Sequence, residues 1–334
     1  MPHGRLLELT GVETQLRVKD GTVRAVDGVS FSVDAGETLG IVGESGSGKS
    51  MTALSIMRLL PRSGAIAAGS IKFKGRELTE LSEDEMEAIR GTEIAMIFQD
   101  PMTSLNPVFR TGWQVAEPLR IHRHEDRRRA EQSVVSLFTQ VGIPDAARRA
   151  AQFPHMFSGG MRQRAMIAMG LSTGPSLLIA DEPTTALDVT IQAQILELLR
   201  GLNRDHGTAT ILITHNLGVV AGMCDRVIVM YAGRIVEEGR TEDVFAHPEH
   251  PYTWSLLRSI PRLDVEEHEE LRAIEGSPPN MTKLPAGCKF HPRCPFVIPR
   301  CAQEEPELRP VREQLARCWV TQQGTSLDSA AAHG

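Results

Sequence analysis

The chain has 334 residues, 41% hydrophobic and 23% charged, values that are typical of folded globular proteins and exclude a disordered or collagen-like chain. The formal net charge of -6 provides no basic excess for DNA or RNA, so we expect no nucleic-acid partner. No apolar run approaches the roughly 18 residues that cross a bilayer, and the sequence predicts a soluble chain that stays in the cytoplasm.

The predicted elements begin with strands at residues 6–9 and 29–33. Residues 38–42 predict a short buried strand that runs into a glycine-rich loop. Residues 50–60 show the apolar spacing of a helix, which Pro61 ends. Strand, glycine loop and helix in this order are typical of a nucleotide-binding α/β unit.

Short apolar runs rich in branched residues predict further buried strands at residues 94–98, 177–180, 210–214 and 227–230. Helical segments between them imply right-handed crossovers and a largely parallel sheet. Residues 111–173 have helical character and predict a helical subdomain inserted into the sheet domain.

The chain changes character after about Leu257. Prolines become frequent and periodicity is weak, which predicts a small irregular segment that needs an external staple. We therefore expect one domain at residues 1–258 and a small C-terminal domain at residues 259–334.

The strongest motif is the phosphate loop, GESGSGKS at residues 43–50. Its glycines let backbone N–H groups converge on phosphate oxygens, Lys49 neutralises the β- and γ-phosphates, and Ser50 can bind Mg²⁺. A glycine-rich turn without a ligand is the alternative. The predicted nucleotide contacts are Gly43, Glu44, Ser45, Gly46, Ser47, Gly48, Lys49, Ser50 and Met51.

An acidic pair, Asp181 and Glu182, follows the buried run at residues 177–180. The carboxyl ends of parallel strands are where α/β sheets bind ligands. Because adjacent strand residues point in opposite directions, Asp181 can approach Mg²⁺ while Glu182 polarises the attacking water. A solvated strand end is the alternative interpretation.

Ser158, Gly159 and Gly160 open a predicted helix, and here the sequence resembles the ATP-binding-cassette (ABC) ATPases, whose signature begins Ser-Gly-Gly. A hydroxyl, two unhindered N–H groups and a helix N-terminus form a second anion site. A helix N-cap is the structural alternative for Ser158, and the two interpretations are compatible.

Three further positions match the family in order and spacing: Gln99 in the Q-loop, Asp188 in the D-loop and His215 in the switch. The resemblance implies that the catalytic residues are Glu182, His215, Gln99 and Lys49. It implies that Gln99, Asp181, Asp188 and the signature residues also contact the nucleotide. The Mg²⁺ ligands would be Ser50, Gln99 and Asp181.

The fold implied by the resemblance is an α/β P-loop NTPase of the ABC cassette type, with a RecA-like parallel-sheet core. An antiparallel β subdomain and the inserted helical subdomain complete the cassette. Two such domains would pair head to tail around two ATP molecules, each held by one subunit's phosphate loop and the other's signature.

Residues 98–107, 181–194 and 250–253 resemble the oligopeptide and dipeptide importer branch. The branch implies an ATPase subunit at the cytoplasmic face of the cell membrane. Its partners would be two transmembrane permease subunits, a paralogous ATPase subunit and an extracytoplasmic peptide-binding protein. The cargo stays open among dipeptides, longer peptides, haem, nickel and glutathione.

Four cysteines with spacing C-x₅-C-x₆-C-x₁₆-C define the cysteine segment, residues 288–318; they are Cys288, Cys294, Cys301 and Cys318. In a reducing compartment such a cluster suggests metal rather than disulfides. Four thiolates separated by long loops suit a [4Fe–4S] cluster, and some importer ATPases that this segment resembles carry one. Zn²⁺, or no metal with buried thiols, are the alternatives.

Two other functions are weighed against peptide import. A non-transport cassette ATPase acting on ribosomes or DNA tends to have two cassettes or a long coiled coil, and neither is present in this sequence. A redox-sensing ATPase, in which the cluster itself is the function, is the second alternative.

Overall fold

The structure is a computed structural model, and it describes residues 4–99, 104–185, 187–259, 274–327 and 329. The chain divides into two compact units, each assembled from separate parts of the sequence. The first unit comprises the described residues of Met1–Leu7, Ser32–Thr38 and Lys72–Ile213. The second comprises those of Glu8–Phe31, Leu39–Ile71 and Thr214–Gly334.

The strands are numbered in chain order and have the bounds β1 Arg5–Val18, β2 Gly21–Asp34, β3 Thr38–Val42, β4 Gly64–Phe73, β5 Arg76–Glu77, β6 Ile94–Ile97, β7 Leu177–Asp181, β8 Ala209–Ile213, β9 Arg226–Tyr231, β10 Arg234–Arg240, β11 Arg309–Val311 and β12 Gln314–Ala316. The α-helices are α1 Lys49–Met57, α2 Glu83–Ile89, α3 Thr111–His122, α4 Arg127–Gln140, α5 Ala146–Ala150, α6 Gly159–Leu171, α7 Val189–His206, α8 Leu217–Met223, α9 Thr241–Ala246, α10 Pro251–Arg258 and α11 Trp319–Gln322. None of these helices is long and apolar enough to span a membrane.

In the first unit, three parallel strands lie side by side in the order β8, β7, β6. Every residue of β7 and β8 is buried, which explains why both strands are continuous apolar runs rather than alternating ones. The predicted buried strands and their parallel pairing are confirmed here. The pairing brings Asp181 opposite Ile213, so both strands end at the same edge.

The stretch between β6 and β7 is helical, as predicted, and contains α3 to α6. Asp126 caps α4 by accepting a hydrogen bond from the Arg129 amide, and Phe138 of α4 packs edge-on against Phe157 just before α6. These contacts place the start of α6, where the Ser-Gly-Gly motif lies, against a buried aromatic pair.

In the second unit, β3 and β9 are parallel, and β10 continues the sheet antiparallel to β9. Two residues join β1 to β2, which neighbour each other in a separate sheet with β4. A connection of that length fits an antiparallel hairpin, in agreement with the predicted β subdomain. The buried strand β3 ends at Val42 and leads directly into the phosphate loop.

The C-terminal part of the second unit contributes two short strands, β11 and β12. Ala316 and Leu315 of β12 pair with Glu237 and Glu238 of β10. Strands of three residues show too little periodicity to be predicted from the sequence. They form because β12 pairs with the edge of β10. The irregular segment is therefore anchored by backbone hydrogen bonds to the sheet of this unit.

Candidate nucleotide site and cysteine segment

The phosphate loop of the second unit has the backbone that its glycines predict. Gly43, Gly46 and Gly48 have φ values of 149°, 79° and 105°. A Cβ atom on Gly43 would lie 2.2 Å from the Met230 carbonyl oxygen, and one on Gly48 would lie 2.4 Å from that of Ala25. Only glycine fits both positions, because the loop has positive φ and close backbone neighbours there.

Lys49 is the first residue of α1, and its side chain is only 5% exposed. Its ammonium group donates to the carbonyl oxygens of Gly43, at 2.7 Å, and Glu44, at 3.0 Å. Ser50 and Met51 follow in the first turn of the helix. The Lys49 ammonium group therefore lies against the loop at the N-terminus of α1, where both the charge and the helix dipole attract phosphate.

Ser47 supplies a further observation that fits a phosphate ligand. The residue is 4% exposed, and its hydroxyl has no hydrogen-bond partner among the described residues. A buried hydroxyl without a partner costs free energy, and a bound oxyanion would supply the missing acceptor. The donors present in this loop therefore fit the predicted nucleotide.

Glu44, the second residue of the loop, is held by two side chains from outside the loop within the second unit. Its amide donates to the Tyr252 hydroxyl at 2.7 Å. Its carboxylate accepts two hydrogen bonds from Arg293, at 2.7 and 3.0 Å. Sequence reasoning missed Tyr252 and Arg293 as neighbours of the loop. The only available signal was that both residues lie in stretches resembling the importer branch.

His215, the predicted switch residue, also belongs to the second unit. It is exposed and follows Thr214, whose hydroxyl accepts a hydrogen bond from the Asn216 amide at 3.0 Å. Asn216 in turn caps α8 through the Val219 amide. The turn that presents His215 is thereby fixed on its C-terminal side.

The acidic pair lies in the first unit. Asp181 ends β7 and is 5% exposed. Glu182 follows with φ 47°, in the left-handed region, and its amide donates to the Ile213 carbonyl at 2.9 Å. Glu182 thus departs from extended strand geometry directly after β7, which the alternation of strand residues alone does not predict.

The structure brings Gln99 and Glu182 together, as sequence order alone could not show. The Gln99 amide donates to the Glu182 carboxylate at 3.0 Å, and the Thr185 hydroxyl donates to the same oxygen at 2.9 Å. Thr185 is a site residue that sequence reasoning missed. Of residues 98–107, which resemble the importer branch, residues 100–103 lie outside the described residues.

The signature and D-loop residues are neighbours in the first unit. Ser158 caps α6 by accepting from the Met161 amide, and Asp188 caps α7 by accepting from the Ile191 amide. A Cβ atom on Gly160 would lie 2.7 Å from Ile191, so glycine permits the close approach of these helix starts. The N-cap interpretation of Ser158 is confirmed. A Cβ atom on Gly159 would make only van der Waals contact with Leu187, at 3.6 Å.

The predicted site residues are therefore divided between the units. The second unit carries residues 43–51 and His215. The first carries Gln99, Asp181, Glu182, Asp188 and the Ser158–Gly160 signature.

The four cysteines of the cysteine segment lie in the second unit and line one small cavity together with His250, His291 and Phe290. All four are free thiols, and the Cys288 amide donates to the Cys301 carbonyl at 2.8 Å. Burial raises the pKa of Cys288 to about 11 and that of Cys294 to about 12. The neighbouring sulfurs contribute to both increases.

The expectation of a metal-stapled C-terminal domain is not supported. Among the described residues, no group of three or more His, Cys, Asp or Glu side chains is arranged so that it could hold a metal ion. The sulfurs share a cavity without adopting a coordinating arrangement. The pairing of β12 with β10 and the Arg293–Glu44 ion pair are among the contacts that anchor the segment in this structure.

Comparison with known proteins decides the family. A model described as ABC transporter matches residues 26–185, and one described as oligopeptide/dipeptide transporter, C-terminal region, matches residues 236–301. A peptide import ATP-binding protein of Brucella ovis is 54% identical over 330 residues, covering 95% of this chain and 98% of that protein. The chain belongs to the oligopeptide/dipeptide ABC transporter ATP-binding family.

Other members of this family are similarly close. The oligopeptide transport ATP-binding protein OppD of Haemophilus influenzae is 51% identical over 317 residues, 95% of this chain and 97% of that protein. The family resemblance drawn from the motifs is thus confirmed along almost the whole sequence.

Solved structures confirm the cassette fold. A dimeric ATP-binding cassette in a post-hydrolysis state, bound to ADP and phosphate, superimposes with a TM-score of 0.64 at 26% identity, over 70% of this chain and 98% of that one. A Clostridium perfringens cassette from the cbiONQ ABC transporter complex gives a TM-score of 0.61 at 26% identity, over 72% and 91%.

Proposed function

We propose that this chain is the ATP-hydrolysing subunit that powers a peptide importer. The observation that carries the ATPase assignment is the Glu182 carboxylate, held by Gln99 and Thr185 at the end of a buried strand. A carboxylate fixed by two donors is suited to orient and polarise a water molecule for attack on a phosphoryl group. The importer assignment is supported by identity above 50% to peptide-import ATPases over nearly the full chain.

The residues of each unit supply different parts of this chemistry. In the second unit, the loop amides and Lys49 would hold the β- and γ-phosphates, and His215 would contact the γ-phosphate. Ser50, Gln99 and Asp181 would hold Mg²⁺, which neutralises developing charge on the phosphates when it is bound. Glu182 would act on the attacking water and not on the nucleotide, so its loss should impair hydrolysis but not nucleotide binding.

The assembly we propose follows the family. Membrane permease subunits are the expected partners, two of them per complex, with a paralogous ATPase subunit and an extracytoplasmic peptide-binding protein. The Ser158–Gly160 signature and Asp188 would face the nucleotide bound by the second ATPase subunit. The chain would act at the cytoplasmic face of the membrane, with residues 1–258 as the cassette, 111–173 as its helical part and 259–334 as the C-terminal domain.

For the cysteine segment we propose a thiolate site that takes a [4Fe–4S] cluster, with Zn²⁺ as the alternative occupant. The cavity that the four cysteines share supports it. Cys288, Cys294, Cys301 and Cys318 would be the ligands. Binding requires deprotonated thiols, so it would compete with the protons that Cys288 and Cys294 hold because burial raises their pKa values.

Co-purification tests the transport assignment. A tagged chain extracted from membranes in mild detergent should carry permease subunits and a second ATPase, and vesicles with loaded binding protein should stimulate ATP hydrolysis. Co-purification with ribosomes or DNA, and no permease, would contradict it.

Metal analysis tests the cysteine proposal. Anaerobically purified protein should contain about four iron and four sulfide per chain for the cubane cluster, or one zinc per chain for the alternative. A Cys294→Ser/Cys301→Ser variant should lose the metal, whereas Cys224→Ser, outside the segment, should keep it. Wild-type protein without iron, sulfide or zinc would leave four buried free thiols and refute the proposal.

A further inference from the structure

Arg293 joins the cysteine segment to the phosphate loop. It ends a short 3₁₀ helix, His291–Arg293, between Cys288 and Cys294. Its guanidinium makes a two-pronged ion pair with Glu44, which is 249 residues earlier in the sequence. The Arg293 side chain is 5% exposed and that of Glu44 is 26% exposed, so water screens this pair far less than a surface pair.

A buried aromatic cluster fixes the arginine and the tyrosine that hold Glu44. Tyr231, Tyr252 and Phe290 are each at most 2% exposed, and their ring centroids lie 4.7 to 5.4 Å apart. Arg293 lies 6.0 Å from the centroids of Tyr231 and Phe290 and also donates to the Glu275 carbonyl at 3.0 Å. The guanidinium therefore has little freedom to leave Glu44.

The position of Glu44 matters for the charge of the phosphate loop. A carboxylate in the second residue of the loop would repel the phosphates of a nucleotide if nothing neutralised it. The Glu44 carbonyl also accepts from Lys49, so movement of Glu44 moves a partner of the lysine. Arg293 is placed to control both the charge and the position of this residue.

We propose that Arg293 is a positioning residue of the nucleotide site, through which the cysteine segment sets the affinity for Mg–ATP. The inference rests on the proposed ATPase function and adds a residue that does not touch the reacting atoms. By neutralising Glu44, Arg293 lets the loop accept a polyanion, and by holding Glu44 it fixes the carbonyl that faces Lys49. The cysteine segment is in this way part of the nucleotide site.

The test measures the dissociation constant of Mg–ATP and the kinetic constants of hydrolysis on the full-length chain. Arg293→Ala should weaken binding and raise KM about tenfold, the effect of an uncompensated charge close to the phosphates, with kcat within about twofold. The matched control is Arg309→Ala, which removes an exposed arginine paired with Glu307 and should leave both constants unchanged.

Rescue tests whether Arg293 acts through the charge of Glu44. In Arg293→Ala/Glu44→Gln the uncompensated charge is gone, so the affinity should return to within about threefold of wild type. Loss of affinity in the double variant equal to that in Arg293→Ala would show that Arg293 does not act through the charge of Glu44, and would overturn the inference. Unchanged affinity in Arg293→Ala would overturn it as well.

Thermal unfolding of each variant identifies a general loss of fold. If Arg293→Ala does not fold, Arg293→Lys replaces it, since it keeps the charge but only one hydrogen bond, and an intermediate KM is expected. Wild-type KM in a folded Arg293→Lys variant would then refute the need for the two-pronged pair.

Lys49→Ala separates this inference from the proposed function. If Lys49→Ala and wild type hydrolyse ATP equally, the ATPase assignment fails, whereas Lys49-dependent binding unaffected by Arg293→Ala refutes only the inference.

Discussion

Glu182 combines a strained backbone with a well-held side chain. A non-glycine residue in the left-handed region costs on the order of 1 kcal/mol or more, and here φ is 47°. The Ile213 carbonyl accepts from its amide and Thr185 donates to its carboxylate, which offsets that cost. The strained backbone lies at the residue directly after β7, where the chain turns away from the strand.

We predict that Glu182→Gln abolishes most hydrolysis but not nucleotide binding. The amide keeps the shape but cannot act as a base, so kcat should fall about 100- to 10,000-fold while Mg–ATP affinity stays within about threefold. Steady-state hydrolysis and equilibrium nucleotide binding in the assembled complex measure the two effects.

The control for this variant is Glu197→Gln, an exposed glutamate of α7 paired with Arg200, which should hydrolyse ATP at the wild-type rate. Wild-type turnover in Glu182→Gln would contradict the role assigned to Glu182.

Among the elements, β10 links the cassette to the C-terminal strands. Its Glu237 is fully buried, pairs in register with Ala316 of β12, and accepts hydrogen bonds from the amides of Glu249, at 2.5 Å, and His250, at 3.1 Å. Burial raises the pKa of Glu237 to about 8, and the nearby Glu249 carboxylate adds to the rise. A carboxyl group thus holds the loop between α9 and α10 against the strand.

We predict that Glu237 makes stability depend on pH. Its folded-state pKa lies above the unfolded value of 4.5, so the folded chain keeps a proton that the unfolded chain loses. The stabilisation from this retained proton is complete below about pH 4.5 and is lost as the pH rises to about 8. Over this range the free energy of unfolding falls by no more than roughly 1.4 kcal/mol per pH unit. Denaturant unfolding at several pH values measures it.

The Glu237→Gln variant should flatten that dependence, because the amide cannot ionise yet retains an acceptor oxygen. Glu242→Gln changes a highly exposed glutamate just after β10 and should keep the wild-type profile. Parallel profiles for wild type and Glu237→Gln across this window would show that Glu237 is not its source.

For the whole molecule, the distribution of the chain between the units has a thermodynamic consequence. Each unit contains early and late segments of the sequence, so neither forms from a continuous stretch. A ligand that binds only the folded chain stabilises it by mass action. Nucleotide binding should therefore be visible as a change in unfolding temperature.

We predict that Mg–ATP at 100 times its dissociation constant stabilises the folded chain by about 2.7 kcal/mol. Calorimetry should show an unfolding temperature that rises with nucleotide concentration. In Lys49→Ala, which removes the charge at the start of α1, the same nucleotide concentration should give little shift. An equal shift in both proteins would place the stabilising nucleotide somewhere other than the phosphate loop.

The motifs and the buried strands could be predicted because each depends on neighbours in the sequence. The glycines at positions 43 and 48 determine their own backbone, and the apolar run of β8 needs no distant information. The short strands β11 and β12 could not be predicted, since three residues carry too little pattern and the partner β10 lies some 75 residues away along the chain.

The sequence by itself determined the family, the phosphate loop, the acidic pair after β7 and the capped signature helix, because each is a local pattern with its own chemistry. Only the tertiary structure decided that Gln99 holds Glu182, and that Arg293 and Tyr252 hold Glu44. These pairs are fixed by strand register and by a buried aromatic cluster. Packing of that kind depends on which distant segments meet, which spacing along the chain does not encode.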